Sequence, residues 1–461
     1  MNFFIQITYM IAATLFIFGI KKLTSPATAR RGNMLSALGM LLAVVVTLFD
    51  KSILSFEWII AGLVIGSFIG VLFAKLVKMT AMPQMVALLN GFGGGASALV
   101  AVGEIIRNAN DISLLTSPFW LSTIMLGTTI GAVTLTGSVI AFAKLQGIMQ
   151  GNFKLPFHNI VNLLLFVATI TSALAVTAMG YNPLYFSLSL AASLLLGILF
   201  VVSIGGADMP VVISLLNSLS GIAASFVGFA LANNVLIVSG ALVGASGLIL
   251  TQIMCKAMNR SLISVLFGSF GAENGSGVTS ATGDKIHRSV GSEEAAMILG
   301  YAESVVIVPG FGMAAAGAQH AVRELSDLLE SRGANVRFAI HPVAGRMPGH
   351  MNVLLAEADV PYEKLVEMEH INPDFERTDV VLVIGANDVV NPAARTAKDS
   401  PLYGMPILNV DLAKNVIVIK RSMNAGYAGI DNDLFYLAHT MMLFDSAKEA
   451  VAKIVGEVKL L

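Results

Sequence analysis

One stretch decides the fold of the second half of this chain: Ser304-Val-Val-Ile-Val-Pro-Gly310-Phe-Gly312-Met-Ala-Ala315. Its residues predict a buried strand, a glycine turn and the start of a helix, with the spacing G-x-G-x-x-G/A. In that pattern Gly310 permits the turn, Gly312 leaves room for a pyrophosphate, and Ala315 lets the helix approach the strand. The alternative interpretation is an ordinary tight turn between a strand and a helix.

Alternating strand and helix patterns continue on the carboxyl-terminal side of this stretch. The expected strands are 304–309, 335–341, 379–385, 406–411 and 415–420, and the expected helices are 313–332, 361–368 and 433–458. Such alternation is typical of a parallel sheet covered by helices on both faces. Right-handed crossovers then give an α/β doubly wound, Rossmann-like fold.

The first part of the chain has the composition of a membrane protein. The 461 residues are 56% hydrophobic and only 12% charged, about half the charged fraction of an ordinary soluble domain. Nine apolar stretches are each long enough to cross about 30 Å of hydrocarbon. They are 3–20, 33–49, 58–74, 82–106, 118–142, 160–179, 184–203, 210–230 and 235–255.

Three regions are therefore expected. Residues 1–260 form a polytopic α-helical membrane bundle, residues 261–284 a hinge, and residues 285–461 the nucleotide-binding domain. Within the hinge, residues 271–284 are small and polar, which is typical of a flexible linker.

Basic residues in the short loops predict the orientation of the bundle. Most of them lie in one set of loops, which includes Lys21, Arg30 and Arg260, whereas the other set carries Lys51 and Arg107. The amino terminus is then outside and the nucleotide domain in the cytoplasm, as expected for a bacterial inner (plasma) membrane. The net charge of −1 gives no reason to expect nucleic acid as a partner, and no metal-binding cluster is recognisable.

Small residues four positions apart predict close helix packing within the bundle. These seams are Gly62 with Gly66 and Gly70, Gly127 with Gly131, and Gly240 with Gly244. The run Gly91-Phe-Gly-Gly-Gly95 is denser, and because glycine weakens a helix it predicts a local unwinding beside a cavity.

Polar side chains at membrane depth are candidates for a proton path, because each needs a partner or water. Asn90 and Asn217 lie within the fourth and eighth spans, and no titratable side chain is expected in the middle of any span. An interhelical hydrogen bond is the alternative role for either asparagine.

The ends of two strands indicate the cofactor. An NAD enzyme usually ends its second strand in Asp or Glu, but here that strand ends at His341, and Arg346 follows in the loop. A later strand ends in Lys420-Arg421-Ser422, and two cations with a hydroxyl suit a phosphate dianion. These residues favour NADP over NAD, although a solvated surface pair is the alternative.

Three further turns at strand ends are expected to line the cofactor: 342–350, 385–392 and 424–429. No acid–base dyad for an alcohol or carbonyl substrate is recognisable. A second nicotinamide can then be the reaction partner, with hydride passing directly between the two cofactors.

The whole chain resembles the beta subunit of the proton-translocating NAD(P) transhydrogenase family. The resemblance is carried by motifs in both halves. They are Ile204-Gly-Gly-Ala-Asp-Met-Pro-Val-Val-Ile-Ser-Leu-Leu-Asn217, Ile253-Met-Cys-Lys-Ala-Met-Asn-Arg260, Pro309-Gly-Phe-Gly-Met-Ala, His341-Pro-Val-Ala-Gly-Arg-Met-Pro-Gly-His350, Ile384-Gly-Ala-Asn-Asp-Val-Val-Asn-Pro392 and Lys420-Arg-Ser-Met-Asn-Ala-Gly-Tyr-Ala-Gly429.

The resemblance implies NADP(H) on this chain and NAD(H) on a partner alpha subunit of one or two polypeptides, assembled as a dimer of alpha–beta units. Proton entry would drive hydride from NADH to NADP⁺. It implies that Asp388 is the acid whose protonation is tied to cofactor occupancy, and that Asp208 and Asn217 lie on the proton path, for which Asn90 is a further candidate from its place in the fourth span. The expected cofactor-binding residues are Gly310, Gly312, Met313, Ala314, Ala315, Arg346, Gly385, Ala386, Asn387, Asp388, Lys420, Arg421, Ser422, Gly426, Tyr427 and Ala428.

One departure and two rival functions remain open. Many members of the family place a histidine where this chain has Asn90. Either water with Asn90 and Asn217 suffices, or the partner subunit contributes the titrating group. The rival functions are a channel or transporter gated by a nucleotide-sensing domain, and a membrane-anchored NADP-dependent dehydrogenase.

Overall fold

The computed structural model describes residues 3–23, 26–49, 56–149, 157–267, 286–400, 402–426 and 428–461. The predicted linker 271–284 and Tyr427 lie outside these described residues. The chain divides into two compact units, residues 1–204 with 212–250, and residues 205–211 with 251–461.

Within the described residues, nine helices are long and apolar enough to cross a membrane, which confirms the predicted number of spans. Two short helices accompany them, α5 (Ile112–Leu115) and α11 (Leu262–Phe267). In chain order the helices are α1 (Phe3–Leu23), α2 (Pro26–Thr47), α3 (Glu57–Leu76), α4 (Met82–Arg107), α5 (Ile112–Leu115), α6 (Pro118–Leu145), α7 (His158–Met179), α8 (Pro183–Val202), α9 (Met209–Ala230), α10 (Asn234–Ala257) and α11 (Leu262–Phe267).

The glycine-rich run of α4 is helical, so the predicted unwinding at residues 91–95 is wrong. Its glycines instead allow α4 and α6 to touch backbone to backbone. A Cβ at Gly94 would lie 2.8 Å from the Gly131 carbonyl oxygen, and a Cβ at Gly131 would lie 2.5 Å from the Gly94 oxygen. The helix survives the low propensity of glycine because this close packing compensates for it.

The predicted glycine seams behave differently from one another. Gly127, Gly131, Gly240 and Gly244 meet neighbouring helices closely, as expected. By contrast, α3 has no buried residue, and a Cβ added at any glycine of its 62–70 seam would meet nothing within 4 Å among the described residues. The packing expected for that seam is absent from this part of the structure.

The second unit contains a sheet of seven parallel strands. The predicted doubly wound, Rossmann-like class is confirmed. The strands are β1 (Arg288–Ser289), β2 (Ser304–Pro309), β3 (Asn335–Ile340), β4 (Leu365–Glu367), β5 (Val380–Ile384), β6 (Asn415–Lys420) and β7 (Thr440–Phe444). Their order across the sheet is β1-β7-β6-β5-β2-β3-β4.

Helices and one-turn segments connect these strands. Helix α18 (Ala447–Val458) packs against α12 (Ser292–Gly300) and α14 (Gln319–Ser331), and α14 and α18 also contact the sheet. Alternate residues of the central strands, such as Val306 and Val308, enter a core with Phe375, Leu408 and Phe435. The helices are α12 (Ser292–Gly300), α13 (Phe311–Ala316), α14 (Gln319–Ser331), α15 (His350–Glu357), α16 (Met368–Ile371), α17 (Ala393–Thr396) and α18 (Ala447–Val458).

Several predicted elements differ from the observed ones. The expected helix 313–332 is two helices, because Gly317 has a left-handed φ of +60° that ends α13. Residues 406–411 form a loop and a one-turn helix instead of a strand. The expected helix through 361–368 is a one-turn helix followed by β4. The expected helix 433–458 contains β7 before α18. Hydrogen bonding of β7 to β6 in the sheet outweighs the helical preference of Met and Leu there.

Strands β2, β3 and β4 follow one another toward one edge of the sheet, whereas β5, β6 and β7 follow one another toward the other edge. Strand β2 is paired with β3 on one side and with β5 on the other. In open α/β sheets a ligand binds outside the carboxyl ends of the strands at such a switch point. The turns after β2 and β5 are therefore where the site is built.

Candidate functional site

The turns after β2 and β5 are hydrogen-bonded to each other. Gly310 N–H donates to the Ile384 carbonyl at 2.9 Å, and Gly312 N–H donates to the Gly385 carbonyl at 2.9 Å. A Cβ at Gly310 would lie 2.5 Å from the Ala386 backbone nitrogen, and one at Gly312 would lie 2.6 Å from Gly385 Cα. Both glycines are thus required by the packing of the two turns, a role that the sequence pattern did not predict.

Helix α13 begins at this turn but is short, and Ala315 does not pack between the helix and the strand as expected. Met313 and Ala314 are buried, whereas Ala315 is exposed. The packing role predicted for Ala315 is therefore wrong, because the helix ends after Ala316 and its buried face falls one residue earlier. Gly385 has a left-handed φ of +65°, which explains a glycine at the start of the β5 turn.

The loop after β6 is fastened to the turn after β5. The Asp388 carboxylate Oδ2 accepts the Ala428 N–H at 3.0 Å. The Asn432 amide donates to the Asn387 carbonyl at 3.0 Å and to its side-chain oxygen at 2.9 Å. We call these contacts the loop clasp. They bring the predicted residues 385–388 together with Gly426 and Ala428 in one site.

Gly426 is needed in the loop clasp because it has no side chain to collide with Asn387 and Asp388. A Cβ at that position would lie 2.4 Å from Asp388 Oδ1 and 2.6 Å from Asn387 Nδ2. Asn432 is 1% exposed and also caps a one-turn helix by accepting the Leu434 N–H at 3.0 Å. Sequence reasoning missed Asn432, although an asparagine that follows a glycine-rich turn is a typical cap.

The cation at the end of β6 is held at the same edge of the sheet. Lys420 Nζ donates to the Asn424 carbonyl and lies 4.9 Å from the centroid of the Phe435 ring. Burial lowers the pKa of Lys420, and the nearby carboxylates of Asp388 and Asp431 oppose that effect. An anionic ligand would stabilise the charged ammonium group and so offset the free-energy cost of burying it.

Arg421 and Ser422 follow Lys420 and are exposed. A hydroxyl and two cations, one of them partly buried, thus stand together where β6 ends. This set fits a phosphate dianion, for which guanidinium and ammonium groups are the usual partners.

The loop after β3 brings a further cation to the glycine turn. The Arg346 guanidinium carbon lies 4.1 Å from the centroid of the Phe311 ring, and Phe311 directly follows Gly310. Two buried histidines flank this loop. His341 lies at its start and His350 at its end.

Both histidines are neutral near pH 7. Burial lowers the pKa of His341 to about 4, against the effect of its hydrogen bond with the Pro406 carbonyl. Burial, and after it the positive charge of Arg346, lower the pKa of His350 to about 4. Neutral rings can accept backbone N–H groups, and His341 Nδ1 accepts that of Val343 at 3.2 Å.

In the membrane unit, Asn90 forms interhelical hydrogen bonds. Its side-chain amide donates to the Ile213 backbone carbonyl of α9 at 3.2 Å, and its backbone carbonyl accepts the Ser220 hydroxyl at 2.8 Å. Asn90 is buried and Asn217, also on α9, is half-buried. Asn90 therefore joins α4 to α9 by hydrogen bonds, which is the alternative role expected for it.

Asp208 is paired with a cation. The Arg260 guanidinium donates to both carboxylate oxygens of Asp208, at 2.7 and 2.8 Å. Burial raises the pKa of Asp208, and Arg260 opposes that rise. A buried carboxylate with one cationic partner can exchange a proton when that pairing changes.

Among the described residues, no group of three or more His, Cys, Asp or Glu side chains is arranged to hold a metal ion. The fold and the site together define a membrane helix bundle joined to a Rossmann-like nucleotide domain.

Comparison with known proteins gives the family. The model of the family described as NAD(P) transhydrogenase beta subunit matches residues 5–457. The chain is 48% identical to NAD(P) transhydrogenase subunit beta of Rhodospirillum rubrum over 452 residues, which is 97% of each protein. The protein of the same name from one strain of that organism gives the same figures. The chain belongs to the NAD(P) transhydrogenase beta subunit family, and it is a subunit of a transhydrogenase enzyme.

Proposed function

We propose that this chain is the NADP(H)-binding subunit of a proton-pumping transhydrogenase. It couples hydride transfer from NADH to NADP⁺ with inward proton translocation across a bacterial inner membrane. The observation that carries the proposal is the cluster of Lys420, Arg421 and Ser422 at the carboxyl end of β6, beside the loop clasp.

NADP(H) fits this edge of the sheet by charge. Lys420, Arg421 and Ser422 would hold the 2′-phosphate, and Arg346 supplies a further cation beside the glycine turn. The turns containing Gly310, Gly312 and residues 385–388 would line the rest of the cofactor. Bound NADP⁺ would supply the hydride acceptor, so the chain itself needs to orient the nicotinamide and exclude water.

A partner alpha subunit would carry NAD(H). The name of the relatives, subunit beta, supports such a partner. Assembly as a dimer of alpha–beta units, with the amino terminus outside and the NADP domain in the cytoplasm, completes the proposal.

Proton movement is proposed to act through the affinity for NADP(H). One charge crossing 100 mV supplies about 2.3 kcal/mol, which shifts the ratio of the two cofactor couples more than tenfold. The path would include Asp208, whose carboxylate is paired with Arg260, and the region of Asn90 and Asn217. In mid-membrane, either water with Asn90 and Asn217 suffices to pass the proton, or the partner subunit contributes the titrating group.

A membrane assay tests the proposal. Membranes that contain this chain and its partner subunit should reduce an NADP analogue with NADH, and the rate should respond to an uncoupler. A nucleotide-gated channel would conduct ions without reducing the analogue, and either outcome is read from the same membranes. Absence of analogue reduction would overturn the proposal.

A further inference from the structure

His350 is a buried side chain that the proposed function leaves without a role. It is 2% exposed and begins helix α15. Its Nδ1 accepts the backbone N–H of Arg346 at 3.1 Å. The proton of this neutral ring is therefore on Nε2, because Nδ1 is the acceptor.

The His350 ring does not maximise the stability of the fold. Its Nε2 is buried and finds no hydrogen-bond partner among the described residues. An unpartnered buried N–H lowers stability, whereas an apolar side chain of similar size would avoid that loss. The acceptor on Nδ1 is thus the property that distinguishes histidine here.

The loop before His350 is packed tightly onto the ring. A Cβ at Gly345 would lie 2.4 Å from His350 Cβ and 2.5 Å from Nδ1. The Arg346 backbone is therefore fixed by its own hydrogen bond and by the contact of the preceding residue. Its guanidinium group stacks on Phe311, the residue next to Gly310.

We infer that His350 is a positioning residue for the cofactor: it fixes the backbone of Arg346 so that the guanidinium group stays at the glycine turn. The inference rests on the proposed function, in which Arg346 faces NADP(H). His350 itself does not touch the cofactor and acts through Arg346.

The test is a double-mutant cycle in the full-length chain, purified with its partner subunit in detergent, with NADPH affinity measured by isothermal titration. We expect His350→Leu, which removes the acceptor, to weaken NADPH binding about tenfold. His350→Asn keeps an acceptor oxygen near the position of Nδ1 and should restore the affinity to within about threefold of the parent. In an Arg346→Gln background, His350→Leu should change the affinity by less than about twofold, because the effect runs through Arg346.

Each other outcome overturns a distinct claim. If the parent protein does not bind NADPH, the proposed function itself fails. If Arg346→Gln weakens binding but His350→Leu does not, the positioning role is wrong. Additive effects of the two substitutions, or an equal loss on Met351→Ala at the next buried position of α15, would mean that His350 only supports the fold.

Discussion

The Asp388 carboxylate accepts the backbone N–H of Ala428 at 3.0 Å, so one acidic side chain joins the turn after β5 to the loop after β6. Asp388 also lowers the electrostatic cost of keeping Lys420 charged. The acid expected to sense cofactor occupancy is therefore part of the clasp that closes the loop.

Substitution of Asp388 should separate its charge from its hydrogen bond. Asp388→Ala removes both, and we expect NADPH to dissociate about tenfold faster because one charge-assisted hydrogen bond is lost. Asp388→Asn keeps an acceptor oxygen that cannot change its protonation, so the contact with Ala428 should remain and NADPH release should vary less with pH than in the parent. Stopped-flow measurement of NADPH release across pH checks both. Unaltered release from the alanine variant would contradict the role of the clasp.

The cations at the end of β6 should select NADP(H). We expect Lys420→Ala combined with Arg421→Ala to weaken NADPH binding by about a hundredfold or more, because two charge-assisted contacts to a phosphate are lost. Lys414→Ala is a matched control, since Lys414 lies just before the opposite end of the same strand and pairs with Asp379 at 2.8 Å. NADPH affinity that is the same in all three proteins would remove the assignment of the 2′-phosphate site.

Gly310 should tolerate no side chain. A Cβ there would lie 2.5 Å from the backbone of Ala386, so Gly310→Ala must push the turns after β2 and β5 apart. We expect a loss of about 2 kcal/mol or more in the free energy of unfolding. Gly456→Ala is the control, because an added Cβ meets nothing there and alanine favours the helix. Thermal unfolding of the two variants in detergent compares them, and equal midpoints would disprove the packing claim.

The two buried histidines should make the nucleotide domain sensitive to acid. An unfolded histidine gains a proton below about pH 6.5, whereas His341 and His350 stay neutral in the folded chain down to about 4. The unfolded state therefore binds more protons in this window, and stability is lost as the pH falls from 6.5 to 4. Each ring contributes on the order of 3 kcal/mol across it.

Replacement of one ring should flatten this dependence. We expect His350→Asn to reduce the slope of unfolding temperature against pH between 7 and 5 by about half, because one of two equal contributions is removed. His320→Gln, at an exposed position, is the control. A slope that His350→Asn leaves unaltered would show that this ring does not titrate on unfolding.

The order of elements in the chain could be read from the sequence where apolar runs are long or rich in β-branched residues. The nine spans and strands β2, β3, β5 and β6 are of this kind. Strand β7 could not be predicted, because Thr440-Met-Met-Leu-Phe444 favours a helix locally and is extended through its pairing with β6 and β1. Gly317 ends α13 through its left-handed backbone, which the helical pattern around it conceals.

The turns of the candidate site could also be predicted, because glycines and polar residues at strand ends mark them. Their mutual contacts could not. The bonds of Asn432 to Asn387, and of His350 to Arg346, join positions whose proximity depends on the sheet order and on the loop path. Local patterns carry no information about either.

The central claim is that NADP(H) binding and proton movement across the membrane are thermodynamically coupled. Its most direct test is hydride transfer between NADH and an NADP analogue in proteoliposomes that contain this chain and its partner, under an imposed pH difference. Inward-directed proton flow should accelerate the reaction and shift its end point toward reduced analogue, more than tenfold for a driving force of about 100 mV. A rate and an end point that stay the same with and without the pH difference would contradict the account.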